Sequence, residues 1–126
     1  MTTKQDALNW FEIYVTDFDR AKRFYEAILL TPLTDVPCEG GGHMGIFPHN
    51  EKGGVGGSIT HRPELIAGPG GTLVYLNVEG DLDGVIGRVA KAGGAVLKIR
   101  TSIGEHGFIG IIKDVEGNVV GLHSLK

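Results

Sequence analysis

Hydrophobic and polar positions alternate strictly at the start of each half of this chain. Phe11, Ile13 and Val15 fall on one side of a strand predicted at about 8–15, with Trp10, Glu12 and Tyr14 on the other. Val74, Leu76 and Val78 oppose Leu73, Tyr75 and Asn77 in the same way at about 72–78. The period then lengthens. Ala21, Phe24, Tyr25 and Ile28 recur at i, i+3, i+4 and i+7, which predicts an amphipathic helix running to Leu29 before Pro32 stops it. Thr16, three residues before Asp19, resembles a capping box at its start. A second helix is predicted from about Asp81, with Leu82, Val85, Ile86 and Val89 as its buried stripe and Gly93-Gly94 as its C-terminal stop. Short strands follow each helix, near 33–38, 43–48 and 54–60 in the first half and near 95–100, 107–113 and 118–124 in the second.

The two halves therefore repeat one another. Phe11 corresponds to Val74 at an offset of 63 residues, and Asn50-Glu51-Lys52-Gly53 returns as Asp114-Val115-Glu116-Gly117 at an offset of 64. Each half reads βαβββ, and the predicted class is α+β. Two tandem modules, at about 7–61 and 71–126, are expected to form a curved mixed sheet with helices on its convex face. Residues 62–71, with Pro63, Gly68, Pro69, Gly70 and Gly71, read as a linker within a single domain covering 1–126. One module alone has a small core and an uncovered sheet face, so pairing of the halves is physically required. The aliphatic faces of the first strands must meet the helices. The opposite faces, carrying Trp10, Glu12, Tyr14, Tyr75 and Asn77, then line a cleft, with Gly121 and His123 added from the last strand.

Composition narrows the partners. A length of 126 residues with 41% hydrophobic and 21% charged content fits one globular domain. A net charge of −3 without a basic run gives no electrostatic basis for nucleic-acid or anionic-membrane binding. The single cysteine, Cys38, cannot form an internal disulfide, and Met1 to Asp6 lack an apolar signal core. A cytoplasmic location is the expectation. The 21 glycines cluster in turns, and none opens a helix as Gly-Lys-Ser/Thr, so no phosphate loop is present.

The tandem repeat, with Val15-Thr16-Asp17-Phe18-Asp19-Arg20-Ala21 leading to Phe24-Tyr25, and Asp114-Val115-Glu116-Gly117-Asn118 before the last strand, resembles the vicinal oxygen chelate superfamily. That group includes glyoxalase I, bleomycin-resistance proteins and extradiol dioxygenases. The likeness is greatest to small glyoxalase-like proteins with openings such as Asn9-Trp10-Phe11-Glu12-Ile13. It implies a cleft that often holds a divalent metal, with His or Glu ligands on the first and last strand of each module, and commonly a homodimer. Transferred residue by residue, those ligand positions fall on Trp10, Gly57, Leu73 and Gly121, none of which supplies a side-chain ligand. A divalent catalytic metal needs about three protein ligands, so the usual quartet is missing.

Glu12 and His123 lie one same-face step beyond two of these positions, and are candidates for an acid–base pair or for a displaced metal site. Glu105, in Gly104-Glu105-His106, is a third catalytic candidate on the resemblance alone. Trp10, Tyr14, Tyr75 and Asn77 are candidates for substrate binding, the aromatic rings serving as a clamp. His49 and His61 read as turn or linker residues. Two functions follow: an atypical lyase or isomerase acting on a small oxygenated substrate, or a non-catalytic ligand-binding protein of the bleomycin-resistance kind.

Overall fold

The computed structural model describes residues 8–38, 41–63 and 66–126. The polar stretch Met1–Asp6, Gly40 and linker positions 64 and 65 lie outside them. The first module is β1 (Trp10–Tyr14), α1 (Phe18–Leu29), β2 (Thr34–Pro37), β3 (His43–Ile46) and β4 (Gly56–His61). The second is β5 (Tyr75–Asn77), α2 (Leu82–Val89), β6 (Ala95–Ser102), β7 (Phe108–Lys113) and β8 (Val119–Ser124), with a single 3-10 turn at Gly104–His106. The expected curved sheet is resolved into two four-stranded sheets, ordered β1-β4-β3-β2 and β5-β8-β7-β6. In each, the first strand runs parallel to the last and forms one edge.

Alternation along β1 and β5 decides what is buried. Ile13, Val15, Leu76 and Val78 all lie in the core with the helix residues Ala21, Phe24, Tyr25, Ile28, Leu82, Val85 and Val89. Ile86 is only partly buried and packs over Gly110, where an added Cβ would lie 2.8 Å from its Cδ1. One apolar core thus serves both modules. Burial on this scale supplies about 1.5–3 kcal/mol per large aliphatic side chain.

Both helix ends follow from local chemistry. Asp17, not Thr16, is the N-cap of α1, and its carboxylate accepts from the Arg20 backbone N–H at 3.1 Å. The capping box expected at Thr16 is therefore displaced by one residue, because the Asp17 carboxylate is the acceptor that reaches the open first turn. Past Val89 the chain continues its turn to Gly93, whose N–H bonds to the Ala90 carbonyl while that of Gly94 bonds to Val89. This pair of bonds is a Schellman motif, and Gly93 adopts the positive φ of 106° that it requires.

The second module grips α1 along its whole length. At the start, Glu116 accepts from the Thr16 and Asp17 backbone N–H groups and from the Arg20 guanidinium. In the middle, the fully buried Tyr25 hydroxyl donates to Asp114 at 2.7 Å. At the end, Arg88 donates from Nε to the Ile28 carbonyl at 2.9 Å, and its guanidinium also meets Asp81 at 2.5 Å. The last turn of α1 has no basic residue of its own, so Arg88 brings the positive charge that its C-terminus favours.

Asp114 is the densest of these contacts. Its carboxylate accepts from Tyr25, from the Glu116 and Asn118 backbone N–H groups at 2.8 Å each, and from Asn118 Nδ2 at 3.0 Å. Asn118 in turn donates to the Tyr14 carbonyl and accepts from the Gly68 N–H, both at 2.8 Å. One buried carboxylate and one carboxamide therefore fasten α1, β1, the linker at Gly68 and the turn before β8. Burial and the adjacent Asp114 charge push the Tyr25 hydroxyl well above its usual pKa.

Removing the Tyr25 hydroxyl by Tyr25→Phe is expected to cost about 1.5–3 kcal/mol, the range for a hydrogen bond to a charged group. Asp114→Ala leaves several buried donors without an acceptor and should cost more than that, about 3 kcal/mol or above, in urea unfolding. Glu116 supplies a pH test. Burial alone would raise its pKa, but the Arg20 hydrogen bond and the two backbone donors outweigh it and hold the carboxyl below its ordinary value. Its stabilisation is thus present above the unfolded-state pKa and disappears as pH falls through the folded one. Thermal melts from pH 7 to pH 3 should show Glu116→Gln less stable at neutrality, with the gap to wild type closing in acid.

Candidate functional site

A cleft of about 1240 Å³ runs between the two sheet edges, β1 and β5. Trp10, Glu12, Tyr14, Tyr75 and Asn77 all line it. Trp10 and Leu73 occupy corresponding places at the two edges, both line the cleft, and they are 37% and 38% exposed. Tyr75 is 46% exposed. His49, read from sequence as a turn residue, also lines the cleft. Its ring lies over Gly56, where a Cβ would come within 2.5 Å of it, and meets Trp10 edge-on at 6.1 Å. Its Nδ1 donates to the Phe47 carbonyl at 3.0 Å, which leaves Nε2 as an acceptor. The signal for this placement was the small pair Gly56-Gly57, which leaves space for a ring on either face of β4.

Glu12 is held from two sides. Trp10 Nε1 donates to it at 3.2 Å, and Arg62 Nη1 lies 3.9 Å from its other oxygen. His61 sits outside this group, with Nδ1 donating to the Val15 carbonyl at 3.0 Å. His123 and Glu105 do not line the cleft. The His123 Nε2 donates to the His106 carbonyl at 2.7 Å, and the Glu105 side chain is 89% exposed beside His106. The structure thus gathers Glu12 with the aromatic residues and places the other two catalytic candidates at the 3-10 turn and its neighbour on β8.

Strand register corrects one ligand position. Glu12 pairs with Ser58 and Tyr75 with Gly121, so the counterpart of Gly121 is Ser58 and not Gly57. The first module has one more residue between its turn glycine and this point, Gly53 to Ser58 against Gly117 to Gly121. A one-residue slip turns every side chain to the opposite face. Gly57 accordingly lies under the Phe11 ring on the core side, and Gly121 under the Tyr75 ring on the cleft side.

The four positions at which the resemblance calls for metal ligands are therefore Trp10, Ser58, Leu73 and Gly121. Ser58 is fully buried, with its hydroxyl 2.7 Å from that of Thr60. At Gly121 a Cβ would lie 2.4 Å from the Tyr75 ring, so the aromatic ring fills the space that a ligand side chain would occupy. Among the described residues, no three His, Cys, Asp or Glu side chains gather into a group able to hold a metal ion. This donor set does not fit a divalent metal of the usual kind.

Comparison with known proteins agrees with this architecture. The family profile described as Glyoxalase/Bleomycin resistance protein/Dioxygenase superfamily matches residues 7–122. The chain is 31% identical over 120 residues to "Putative glyoxylase CFP32" of Mycobacterium bovis and of Mycobacterium tuberculosis, covering 94% of this chain and 46% of those relatives. It thus spans about half the length of the curated relatives it matches. A glyoxalase/bleomycin resistance protein from Streptomyces sp. CB03234 is similar in fold, with TM-score 0.67 and 24% identity over 93% of this chain and 99% of that one. Another from Catenulispora acidiphila has TM-score 0.64 and 24% identity, over 95% and 100%. Two βαβββ modules on a shared core and a profile match over nearly the whole length place the chain in the Glyoxalase/Bleomycin resistance protein/Dioxygenase superfamily.

Proposed function

We propose that this chain is a metal-independent binding protein for a flat, largely apolar small molecule, held between β1 and β5. The observation that carries this reading is the occupancy of the ligand positions. Aromatic and aliphatic surface from Trp10, Leu73 and Tyr75 stands where metal-binding side chains are expected, and the Tyr75 ring covers Gly121. Such a wall removes apolar surface from water and offers ring faces for stacking, and an offset or edge contact adds about 0.5–1.5 kcal/mol. The polar groups of the lining, among them Glu12, His49, Asn77, Glu79 and Asp81, stand around this wall and can orient a ligand seated on it.

An atypical lyase or isomerase acting on a small oxygenated substrate has less support. Glu12, as its base, already accepts from Trp10 and lies beside Arg62, and neither His123 nor Glu105 joins it in the cleft. Pairing of two copies of the chain also belongs to the proposal. The mycobacterial relatives, of which this chain spans 46%, have room for a second unit of its size. Among the described residues no helix is long and apolar enough to cross a membrane.

Trp10 is the only tryptophan, so its emission reports the cleft directly. Titration with 1-naphthol is expected to quench or shift that emission, with the same affinity in EDTA as in added zinc or nickel. Absence of any change, or binding that EDTA abolishes and metal restores, contradicts the reading. Gly121→Ala tests the ring placement independently. A Cβ there collides with the side of the Tyr75 ring, at Cδ1 and Cε1, so stability should fall by about 1–3 kcal/mol. Adding Tyr75→Ala should recover most of the loss in a double-mutant cycle.

A further inference from the structure

The walls of the cleft are sheet edges as well as side chains. Within the second sheet, the Gly121 N–H bonds to the Val74 carbonyl at 2.8 Å and the Val78 N–H to the His123 carbonyl at 3.0 Å. Backbone groups alternate in direction along a strand, so Val74, Leu76 and Val78 turn theirs toward β8. Leu73, Tyr75 and Asn77 must then turn their N–H and C=O groups to the other side, away from the sheet and into the cleft. The same argument applies to β1, where the Val15 N–H bonds to the Thr60 carbonyl at 3.0 Å and the groups of Trp10, Glu12 and Tyr14 face outward. There the Tyr14 carbonyl is already used by Asn118 Nδ2. The free edge of β5 carries no such cap from the described residues.

Three further observations bear on what enters. The two edges belong to separate sheets and form no ladder with one another, so they do not satisfy one another. The cavity of about 1240 Å³ exceeds the usual range of about 300–1,000 Å³ for small-ligand pockets. Gly68, Gly70 and Gly71, on the segment leading to β5, also line it, and a Cβ built at any of them would meet no heavy atom within 4 Å beyond its chain neighbours. An edge inside a cleft is reachable by a short chain but not by the broad face of another sheet.

Resting on the binding reading above, the geometry points to an extended, amide-bearing ligand, a short peptide or peptidic small molecule, that adds a strand to the free edge of β5. Its main chain exchanges hydrogen bonds with the backbone of Tyr75 and Asn77, and an apolar or aromatic side group seats against Trp10 and the Tyr75 ring. Backbone pairing of this kind supplies affinity, while the pockets for alternate side chains supply selectivity.

The test uses the whole chain and three probes: acetyl-Val-Tyr-Val-amide, the same peptide N-methylated at tyrosine, and the same peptide N-methylated at both valines. Because only alternate amides of an added strand face its neighbour, one methylated form should bind at least ten-fold more weakly than the parent and the other about equally. Nitrogen–proton correlation spectra should show the Tyr75 and Asn77 amides shifting on addition of the parent peptide. Equal binding by all three peptides, absence of shifts at these amides, or no peptide binding while 1-naphthol binds normally overturns the inference and leaves the aromatic-cleft reading standing. Failure of 1-naphthol as well as the peptides removes both. Movement of the Tyr75 and Asn77 resonances on dilution alone assigns the edge to a second copy of this chain and also overturns it.

Discussion

Helix α1 belongs to the first module in sequence and is held at both ends and in its middle by the second. Glu116 meets its opening N–H groups, Asp114 its buried Tyr25 and Arg88 its closing carbonyl at Ile28. The apolar stripe of α1 alone would bury itself against any greasy sheet. These directional bonds, each unsatisfied if the helix slides or rotates, select one placement. Asn118 extends the same constraint to β1 through the Tyr14 carbonyl and to the linker at Gly68. The distance and angle between the two sheets are therefore consequences of a polar network of few residues, and so is the width of the cleft between their edges.

The halves are alike in backbone and unlike in use. Corresponding strands bury corresponding residues, Ile13 with Leu76 and Val15 with Val78. Yet the network is one-sided: the turn at Asp114–Asn118 grips α1, whereas its repeat at Asn50–Gly53 is exposed at Glu51 and Lys52 and bonds mainly within itself. The cleft is asymmetric in the same way. β1 contributes Trp10 and Glu12, whereas β5 contributes Tyr75 and the segment before it Leu73. A duplicated module thus keeps its scaffold symmetric while the residues facing the shared space diverge, which is where a ligand-specific surface can arise without disturbing the core.

Much of the fold was legible in the chain because its cues are local. Period-two alternation at Phe11–Val15 and Val74–Val78, the helical stripe Ala21-Phe24-Tyr25-Ile28 and the Gly93-Gly94 stop are decided by near neighbours, and each element formed where its pattern stood. The register of β4 was not legible, since it depends on one extra residue after Gly53 whose effect appears only when Ser58 pairs with Glu12. The roles of Asp114, Glu116 and Arg88 were also out of reach. Their partners lie 89, 96 and 60 residues away, and nothing in a DVEGN turn names the helix it will hold. Of the site, the aromatic and polar lining from β1 and β5 could be read from strand faces. The Tyr75 ring over Gly121 and His49 over Gly56 could not, because each depends on a contact between neighbouring strands.

The account stands on two separate sheet edges held apart as the walls of one cleft, and amide hydrogen exchange in the free protein measures this directly. Along β1, Phe11, Ile13 and Val15 should exchange slowly while Trp10, Glu12 and Tyr14 exchange fast. Along β5, Leu76 and Val78 should be slow while Tyr75 and Asn77 are fast, with the Asn118 amide protected to the level of global unfolding. Uniform protection along both strands would show the edges already paired, with each other or with another chain, and would contradict the account.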